Sequence, residues 1–344
     1  MRTEVIPVEK AIGHILAHDI TKIIREEFKG TAYRKGHIIE AQDVPELLKL
    51  GKENIFVLKL EPGDIHEDEA GMRLGRAVAG MGVRCSLPKE SRVNLFAERG
   101  GLLKINLPAL EEINDLPDIV LSTLPHNSVI KEGDLLAGTK VIPLVVKEDV
   151  LAKAEKIGSA NLITVLPFQS KKVGLVVTGS EVFKGRIKDG FGPVLSQKIE
   201  NYGSTVLKLE YAPDDADIIA GKIQELVAIG AEVILVSGGM SVDPDDVTPL
   251  GIRKSGAEIV KYGAAALPGA MFLMAYYDEI PVMGIPACGM YYKNTILDLV
   301  LPRILVGEKI SRRDIVRLAH GGLCRNCPQC HYPNCTFGMG VAIP

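Results

Sequence analysis

Glycines and carboxylates follow three apolar runs in the second half of the chain. These stretches read KVGLVVTGSE (172–181), EYAPDDAD (210–217) and AEVILVSGGMSVDPDDVTP (231–249). Glycines let backbone N–H groups approach an anion closely, and carboxylates hold Mg²⁺, which bridges to phosphate oxygens. The pattern therefore predicts a site for a magnesium-bound phosphate ligand. The alternative interpretation of the single residues Asp214, Asp243 and Asp245 is that they only cap helices.

The candidate residues of this site come from four turns. They are Thr178, Gly179, Ser180 and Glu181; Asp214; Ser237, Gly238, Gly239, Ser241 and Asp246; and Pro286 and Cys288 of the turn GIPACG (284–289). Cys288 could touch a soft ligand, although a lone cysteine on a buried turn is more often a small core residue.

A second set of chemically active residues lies near the end of the chain, in GGLCRNCPQCHYPNCTFG (321–338). Cys324, Cys327, Cys330 and Cys335 fall within one short stretch, so four thiolates can converge on one centre. Two consecutive C-x-x-C steps favour a 4Fe–4S cluster. Tetrahedral Zn²⁺ is the alternative, with His331 as a possible replacement ligand. Four unligated thiols on a disordered tail are the third interpretation.

The elements around the first site alternate between strands and helices from about residue 171. This order predicts an α/β module with a mainly parallel sheet and helices on both faces, with ligands binding at the carboxyl ends of the strands. We expect four parts: an N-terminal α+β segment (1–62), a middle mixed domain with several short strands (63–170), the α/β domain (171–308) and a Cys-rich tail (309–344). Within the first part, Ala11, Ile15 and Leu16 have helical spacing.

The composition narrows the class of protein. The chain has 344 residues, a formal net charge of −3, 47% hydrophobic residues and no Trp. Its 40 basic and 43 acidic residues are nearly balanced, which argues against a nucleic-acid partner. Apolar runs stay far below the roughly 18 residues of a membrane helix, and the first residues lack a signal-peptide pattern. We therefore expect a cytoplasmic protein without a membrane partner.

The motifs KKVGLVVTGSEV, YAPDDAD, SGGMSVDPDDVTP and GIPACG resemble the molybdopterin-binding fold. That fold is shared by the molybdopterin molybdenumtransferases (MoeA and gephyrin type) and the molybdopterin adenylyltransferases (MoaB/Mog type). The resemblance covers about residues 171–308, and the first 62 residues weakly resemble the opening segment of the transferases. Two motifs differ from the family pattern: Ser180 stands where the family usually has Asp, and Pro286-Ala287-Cys288-Gly289 replaces a Pro-Gly-Asn-Pro turn.

The resemblance implies a site for molybdopterin or its adenylylated form, with molybdate inserted and AMP released in the presence of Mg²⁺. By this likeness Glu181 and Asp214 hold Mg²⁺, and Asp246 faces the dithiolene and molybdate end. Phosphate is cradled by Ser237, Gly238 and Gly239, opposite a wall formed by Thr178, Gly179 and Ser180.

Three functions follow from the same residues. The first is a transferase of molybdenum cofactor assembly that promotes Mg²⁺-dependent molybdate insertion. The second is a non-catalytic carrier or sensor of molybdopterin with a metal or redox tail, and the third is a MgATP-dependent molybdopterin adenylyltransferase. The resemblance also implies a homo-oligomer, and a molybdoenzyme that receives the cofactor is a possible further partner.

Overall fold

The computed structural model describes residues 3–24, 28–59, 61–89, 91–159, 161–241 and 243–340. The strands are β1 (Thr3–Pro7), β2 (Ile20–Ile24), β3 (Phe28–Tyr33), β4 (Asn54–Leu58), β5 (Asp64–His66), β6 (Val83–Cys85), β7 (Val93–Ala97), β8 (Gly101–Ile105), β9 (Ile119–Thr123), β10 (Val129–Ile130), β11 (Leu135–Val141), β12 (Val145–Lys147), β13 (Ile163–Leu166), β14 (Lys172–Thr178), β15 (Thr205–Ala212), β16 (Val233–Ser237), β17 (Glu258–Tyr262), β18 (Leu273–Tyr277) and β19 (Ile280–Ile285). The helices are α1 (Asp43–Lys49), α2 (Glu67–Val78), α3 (Leu107–Asn114), α4 (Glu148–Gly158), α5 (Ser180–Phe183), α6 (Phe191–Glu200), α7 (Ala216–Ala228), α8 (Thr248–Lys254), α9 (Cys288–Tyr291), α10 (Ile296–Leu305) and α11 (Arg312–Arg317). None of the helices in this part of the chain combines the length and the apolar character that crossing a bilayer requires.

The chain divides into two compact units. Unit 1 comprises Met1–Phe96, Asn106–Thr123 and Leu135–Leu162, and unit 2 comprises Ala97–Ile105, Leu124–Asp134 and Ile163–Pro344. The finer division into four parts stays a prediction.

The main sheet of unit 2 has six strands in the order β15-β14-β16-β19-β18-β17. The first four are parallel, and β18 and β17 continue the sheet in the antiparallel sense. The predicted α/β fold with a mainly parallel sheet is therefore confirmed. Strands β17 and β18 are additional to the predicted elements. Strand β18 had a signal in the pair of apolar runs FLMAYY and IPVMGI around Asp278-Glu279, which is typical of a two-residue hairpin between β18 and β19.

Helices cover both faces of this sheet, because successive residues of its strands point to opposite sides. On one face Leu175 and Leu235 pack with apolar residues of α6 and α10. On the other face Val176 and Val236 pack with α7 and α8. Burial on both faces explains why the sequences of these strands are continuous apolar runs. Parallel pairing places the carboxyl ends of β14, β16 and β19 side by side.

Unit 1 is built from small sheets, of which β6-β7-β11-β9 has four strands and β1-β4, β2-β3 and β12-β5 have two each. The helical spacing of Ala11, Ile15 and Leu16 is misleading, because this segment forms only a 3₁₀ turn at Val8–Lys10 and then runs extended. Ile15 bridges to Ile38, and Leu16 bridges to Val57. Gly13, with φ +82°, ends the turn, and non-local pairing then buries the same apolar side chains that a helix would have buried.

Candidate functional site

The paired glycines after β16 form a turn in which any side chain would be strained and crowded. Gly238 and Gly239 have φ values of +91° and +54°. A Cβ on Gly238 would lie 2.5 Å from the carbonyl oxygen of Thr178, and a Cβ on Gly239 would lie 2.7 Å from Thr248 Oγ1. Both the backbone conformation and the close approach of β14 and α8 therefore require glycine here, whether or not a ligand is bound.

Thr178 connects the ends of β14 and β16 to α8. Its hydroxyl lies 3.1 Å from the carbonyl oxygen of Ser237 and 3.1 Å from Thr248 Oγ1. The neighbouring hydroxyl of Ser237 is fully buried and, with His18 Nδ1, is one of the two buried side-chain atoms without a hydrogen-bond partner among the described residues. An unpartnered buried hydroxyl is costly, so Ser237 stays a candidate for contact with a ligand at this strand end.

A cavity of about 650 Å³ opens beside the glycine turn. The predicted site residues that line it are Gly239, Ser241, Asp246, Pro286 and Cys288. Its other lining residues are Met240, Asp243, Leu267, Pro268, Gly269, Ala270, Met271, Ala287, Tyr292, Leu323, Cys324 and Asn326. Among these described lining residues there is no Lys, Arg or His, so carboxylates are the charged groups of the wall. Such a wall repels a bare phosphate and suits a phosphate that carries a divalent cation.

Asp246 lies half-buried on this wall and orders the loop around it. Its Oδ2 accepts a hydrogen bond from the backbone N–H of Asp243 at 3.2 Å. The hydroxyl of Tyr262 donates to the carbonyl oxygen of Met240 at 2.7 Å, and burial together with the charge of Asp246 raises the pKa of Tyr262. The capping alternative is wrong for Asp243 and Asp245, because α8 begins after Val247 without a side-chain cap.

A separate group of predicted residues gathers at the start of α5. The backbone N–H of Ser180 donates to Asp214 Oδ2 at 2.8 Å, and the backbone N–H of Asp214 donates to Ser180 Oγ at 3.3 Å. Asp215, and not Asp214, caps α7. The described residues lining the 650 Å³ cavity include neither Glu181 nor Asp214. The structure thus places the predicted acids in two groups.

Cys288 opens the short helix α9 and is half-buried. It lines the cavity, and burial raises the pKa of its thiol. Its position on the wall keeps Cys288 a candidate for contact with the ligand.

The cysteine-rich segment folds back as a closed loop, which we call the cysteine loop (residues 321–338). The backbone N–H of Gly338 donates to the carbonyl oxygen of Gly321 at 2.9 Å. The hydroxyl of Tyr332 donates to the carbonyl oxygen of Asp298 at 2.9 Å, and Phe337 is buried. These contacts hold the loop on α10 of unit 2.

A second cavity, of about 280 Å³, lies within the cysteine loop and is lined by all four of its cysteines and by His331. Cys327 and Cys330 are exposed, and Cys324 and Cys335 are half-buried. Asn294 Nδ2 donates to Cys330 Sγ at 2.8 Å, and the backbone N–H of Asn326 lies 3.4 Å from Cys324 Sγ. In the part of the chain that the structure describes, no three His, Cys, Asp or Glu side chains are arranged so that they could hold a metal ion. The thiols share one cavity but do not form a ready-made centre.

Much of the large cavity's wall comes from residues that the sequence did not single out. The segment from Leu267 to Met271 joins β17 to β18, and Asn326 comes from the cysteine loop. The backbone of Leu267 pairs with the loop, because its N–H donates to Gly322 and its carbonyl oxygen accepts from Cys324, each at 2.8 Å. No local sequence signal predicts this pairing, because the paired residues are more than 50 positions apart in the chain.

Comparisons with known proteins show what two segments of the chain are similar to. Residues 174–305 match the family described as "Probable molybdopterin binding domain", and residues 5–59 match a domain of unknown function, DUF8806. A molybdopterin molybdenumtransferase from Synechococcus elongatus is 26% identical over 153 residues, which is 42% of this chain and 36% of the relative. A CinA-like protein from Fervidobacterium nodosum is 30% identical over 112 residues, which is 32% of this chain and 27% of the relative.

Both matches leave most of each relative uncovered, so the chain spans about a third of the curated relatives it matches. Among solved structures, the molybdopterin biosynthesis enzyme MoaB from Thermus thermophilus is 18% identical, with 40% of this chain and 98% of that chain covered at a TM-score of 0.33. The family match agrees with the resemblance carried by the strand-end motifs: residues 174–305 match the model of a probable molybdopterin binding domain.

Proposed function

We propose that this protein acts in molybdenum cofactor biosynthesis and binds molybdopterin, or its adenylylated form, in the 650 Å³ cavity. The observation that carries the proposal is the composition of this cavity's wall. A glycine turn and the carboxylates of Asp243 and Asp246 meet there without a cationic side chain among the described lining residues. The matched family and the name of the molybdenumtransferase relative support the choice of ligand.

The donor set of the cavity fits Mg²⁺, which proteins usually bind through one or two carboxylates together with substrate phosphates. When bound, the ion would neutralise phosphate charge and polarise the phosphate oxygens. Asp246 and Asp243 would hold it, the amides of the glycine turn would meet phosphate oxygens, and Asp246 would orient the group that attacks. The apolar wall at Leu267 and Met271 would exclude water from the pterin.

We infer a molybdenumtransferase-like activity, that is, Mg²⁺-dependent molybdate insertion with release of AMP. The test is equilibrium binding of adenylylated molybdopterin to the full chain with and without Mg²⁺, followed by measurement of AMP after molybdate is added. We expect binding that weakens about a hundredfold without Mg²⁺, because a unit negative charge about 6 Å from a carboxylate is repelled by roughly 3 kcal/mol at an effective dielectric constant of about 20. Absence of binding in both conditions would refute the proposal.

The carrier or sensor function is the second candidate, and one observation favours it. Glu181 and Asp214 are not among the described residues that line the cavity, and Ser180 stands where the family usually has Asp. Tight pterin binding without AMP release would select this function, whereas consumption of ATP with molybdopterin would select the adenylyltransferase.

We also propose that Cys324, Cys327, Cys330 and Cys335 hold a metal, as a 4Fe–4S cluster or as Zn²⁺. Their common cavity and the N–H groups that approach two of the sulfurs support this assignment, since hydrogen bonds to cysteine sulfur are usual around such centres. Iron, sulfide and zinc analysis of anaerobically purified protein tests it and separates the two metals. The cytoplasmic location, the homo-oligomer and a recipient molybdoenzyme stay predictions.

A further inference from the structure

The 280 Å³ cavity of the cysteine loop differs in charge from the large cavity. Lys293, Arg325 and His331 line it, and its described lining residues include no Asp or Glu. The described wall of the 650 Å³ cavity has the opposite composition, with Asp243 and Asp246 and no cationic side chain. The small cavity therefore favours an anion that needs no metal ion to offset its charge.

The two permanent cations of this wall are available to a ligand. The side chains of Lys293 and Arg325 are exposed, and neither forms an ion pair with another residue that the structure describes. The backbone at Lys293 is held in place, because its carbonyl oxygen accepts a hydrogen bond from Lys198 Nζ at 2.7 Å. Lys198 is in turn paired with Asp298 of α10. A backbone that is already fixed reduces the ordering cost of binding an anion.

Aromatic rings are the second feature of the small cavity. Tyr291 is 82% exposed, and its ring lies edge-on to the ring of Tyr292 with the centroids 5.1 Å apart. Tyr332 and Phe337 also line the cavity and form a second edge-on pair at 6.2 Å. An exposed aromatic face next to cations suits a ligand that combines a flat ring with negative charge.

The small cavity adjoins the large one. Tyr292, Cys324 and Asn326 line both cavities. Two backbone hydrogen bonds of 2.8 Å hold this common wall, one from Leu267 to Gly322 and one from Cys324 to Leu267. A ligand made of two ring systems joined by phosphates can therefore place one ring system in each cavity.

We propose that the 280 Å³ cavity binds a nucleoside monophosphate and is the subsite for the nucleotide half of an adenylylated pterin. A phosphate monoester carries a charge of about −1.5 to −2 at pH 7, which Lys293 and Arg325 together offset, while the base covers the exposed ring of Tyr291. Small-molecule sites begin at about 300 Å³, so the cavity suits half of such a ligand rather than the whole. The subsite rests on the proposed function for the identity of its nucleotide, AMP.

The test is equilibrium dialysis of AMP against the full chain in EDTA, which keeps metal ions from the thiols. We expect one AMP per chain, bound about tenfold more tightly than adenosine or ribose 5-phosphate, because each of these lacks one of the two recognised groups. Added NaCl should weaken the binding of AMP and leave that of adenosine unchanged, since salt screens exposed charges. AMP that binds no more tightly than adenosine would overturn the proposal.

Three variants locate the site. Lys293→Gln and Arg325→Gln should each weaken AMP binding about tenfold and leave adenosine binding unchanged. Tyr291→Ala should weaken the binding of both compounds by the same factor, about fivefold. Arg317→Gln is the matched control, because Arg317 is an exposed arginine of α11 that lines neither cavity. Equal AMP affinity in Arg325→Gln and Arg317→Gln would place AMP elsewhere and refute the subsite.

A second titration separates this proposal from the proposed function. AMP should still bind to the chain when it is saturated with 6-hydroxymethylpterin phosphate and Mg²⁺, because the two cavities take the two halves of the ligand. Displacement of AMP by the pterin phosphate would show a single shared site and overturn the subsite. If AMP binds and the pterin does not, the nucleotide site stands and molybdopterin is the wrong ligand for the large cavity. If the pterin binds and AMP does not, the proposed function stands and the subsite is wrong.

Discussion

Replacement of Gly238 by alanine tests the geometry of the strand-end turn. The substitution adds one methyl group where φ is +91° and where the carbonyl oxygen of Thr178 would be 2.5 Å away. Gly230 is a matched control, because it has the same φ of +91° after α7 but no atom within 4 Å of its added Cβ. The difference between the two variants isolates the contact with β14 from the strain of the backbone.

Both variants place an alanine at a positive φ, and the steric strain costs about 1–2 kcal/mol in the folded state. Part of this cost is offset, because alanine makes the unfolded chain stiffer than glycine does. Gly238→Ala must also displace a main-chain oxygen, and such overpacking typically costs about 1–3 kcal/mol more. We expect a loss of about 1 kcal/mol for Gly230→Ala and of about 3 kcal/mol for Gly238→Ala. The difference of about 2 kcal/mol corresponds to a factor of roughly 30 in the unfolding equilibrium.

Urea unfolding of the full chain, followed by far-UV circular dichroism, measures the two losses. A binding titration with 6-hydroxymethylpterin phosphate in Mg²⁺ measures the consequence at the cavity, where Gly238→Ala should weaken binding and Gly230→Ala should not. Equal losses of stability in the two variants would contradict the close approach of the turn to Thr178.

Three further predictions concern single side chains. Asp246→Asn should abolish AMP release and retain pterin binding within about tenfold, and unchanged turnover would argue against a role for this carboxylate. Tyr262→Phe removes the 2.7 Å hydrogen bond to Met240; the loss of about 1 kcal/mol should weaken pterin binding about fivefold by titration, and an unchanged affinity would show that this anchor is not needed. Burial lowers the pKa of His126 to about 4, and its Nδ1 accepts from the N–H of Ile105. A lowered folded-state pKa gives stability that is complete above the ordinary value near 6.5 and is lost as the pH falls towards 4, so stability should fall across that window and fall less in His126→Asn.

Much of the α/β domain could be predicted because its signals are local. Continuous apolar runs followed by glycine or acidic turns mark β14 and β16, and alternating helices imply that the strands are parallel. The hairpin of β18 and β19 had a usable signal in the two residues Asp278 and Glu279 between apolar runs. The helix expected around Ile15 failed because pairing with distant residues overrode the local spacing.

The wall of the cavity was less predictable, because it depends on contacts between remote segments. The pairing of Leu267 with Cys324 brings the cysteine loop against the site, and no periodicity or motif encodes that encounter. The sequence predicts that Ser237, Gly238 and Gly239 belong to the site. The structure adds that the two glycines also allow close packing against Thr178 and Thr248.

Because the predicted acids lie in two groups, ligand binding and turnover should depend on different residues. Asp246 faces the cavity, whereas Asp214 accepts the backbone N–H of Ser180 and Glu181 lies exposed beside it. Ligand binding should therefore depend on the glycine turn and should tolerate changes at Glu181. If turnover requires Glu181, helix α5, which carries it, must move towards the ligand, since Glu181 lies outside the described cavity wall in this arrangement. A Glu181→Gln variant that binds normally but releases no AMP would place this residue in the chemical step rather than in recognition.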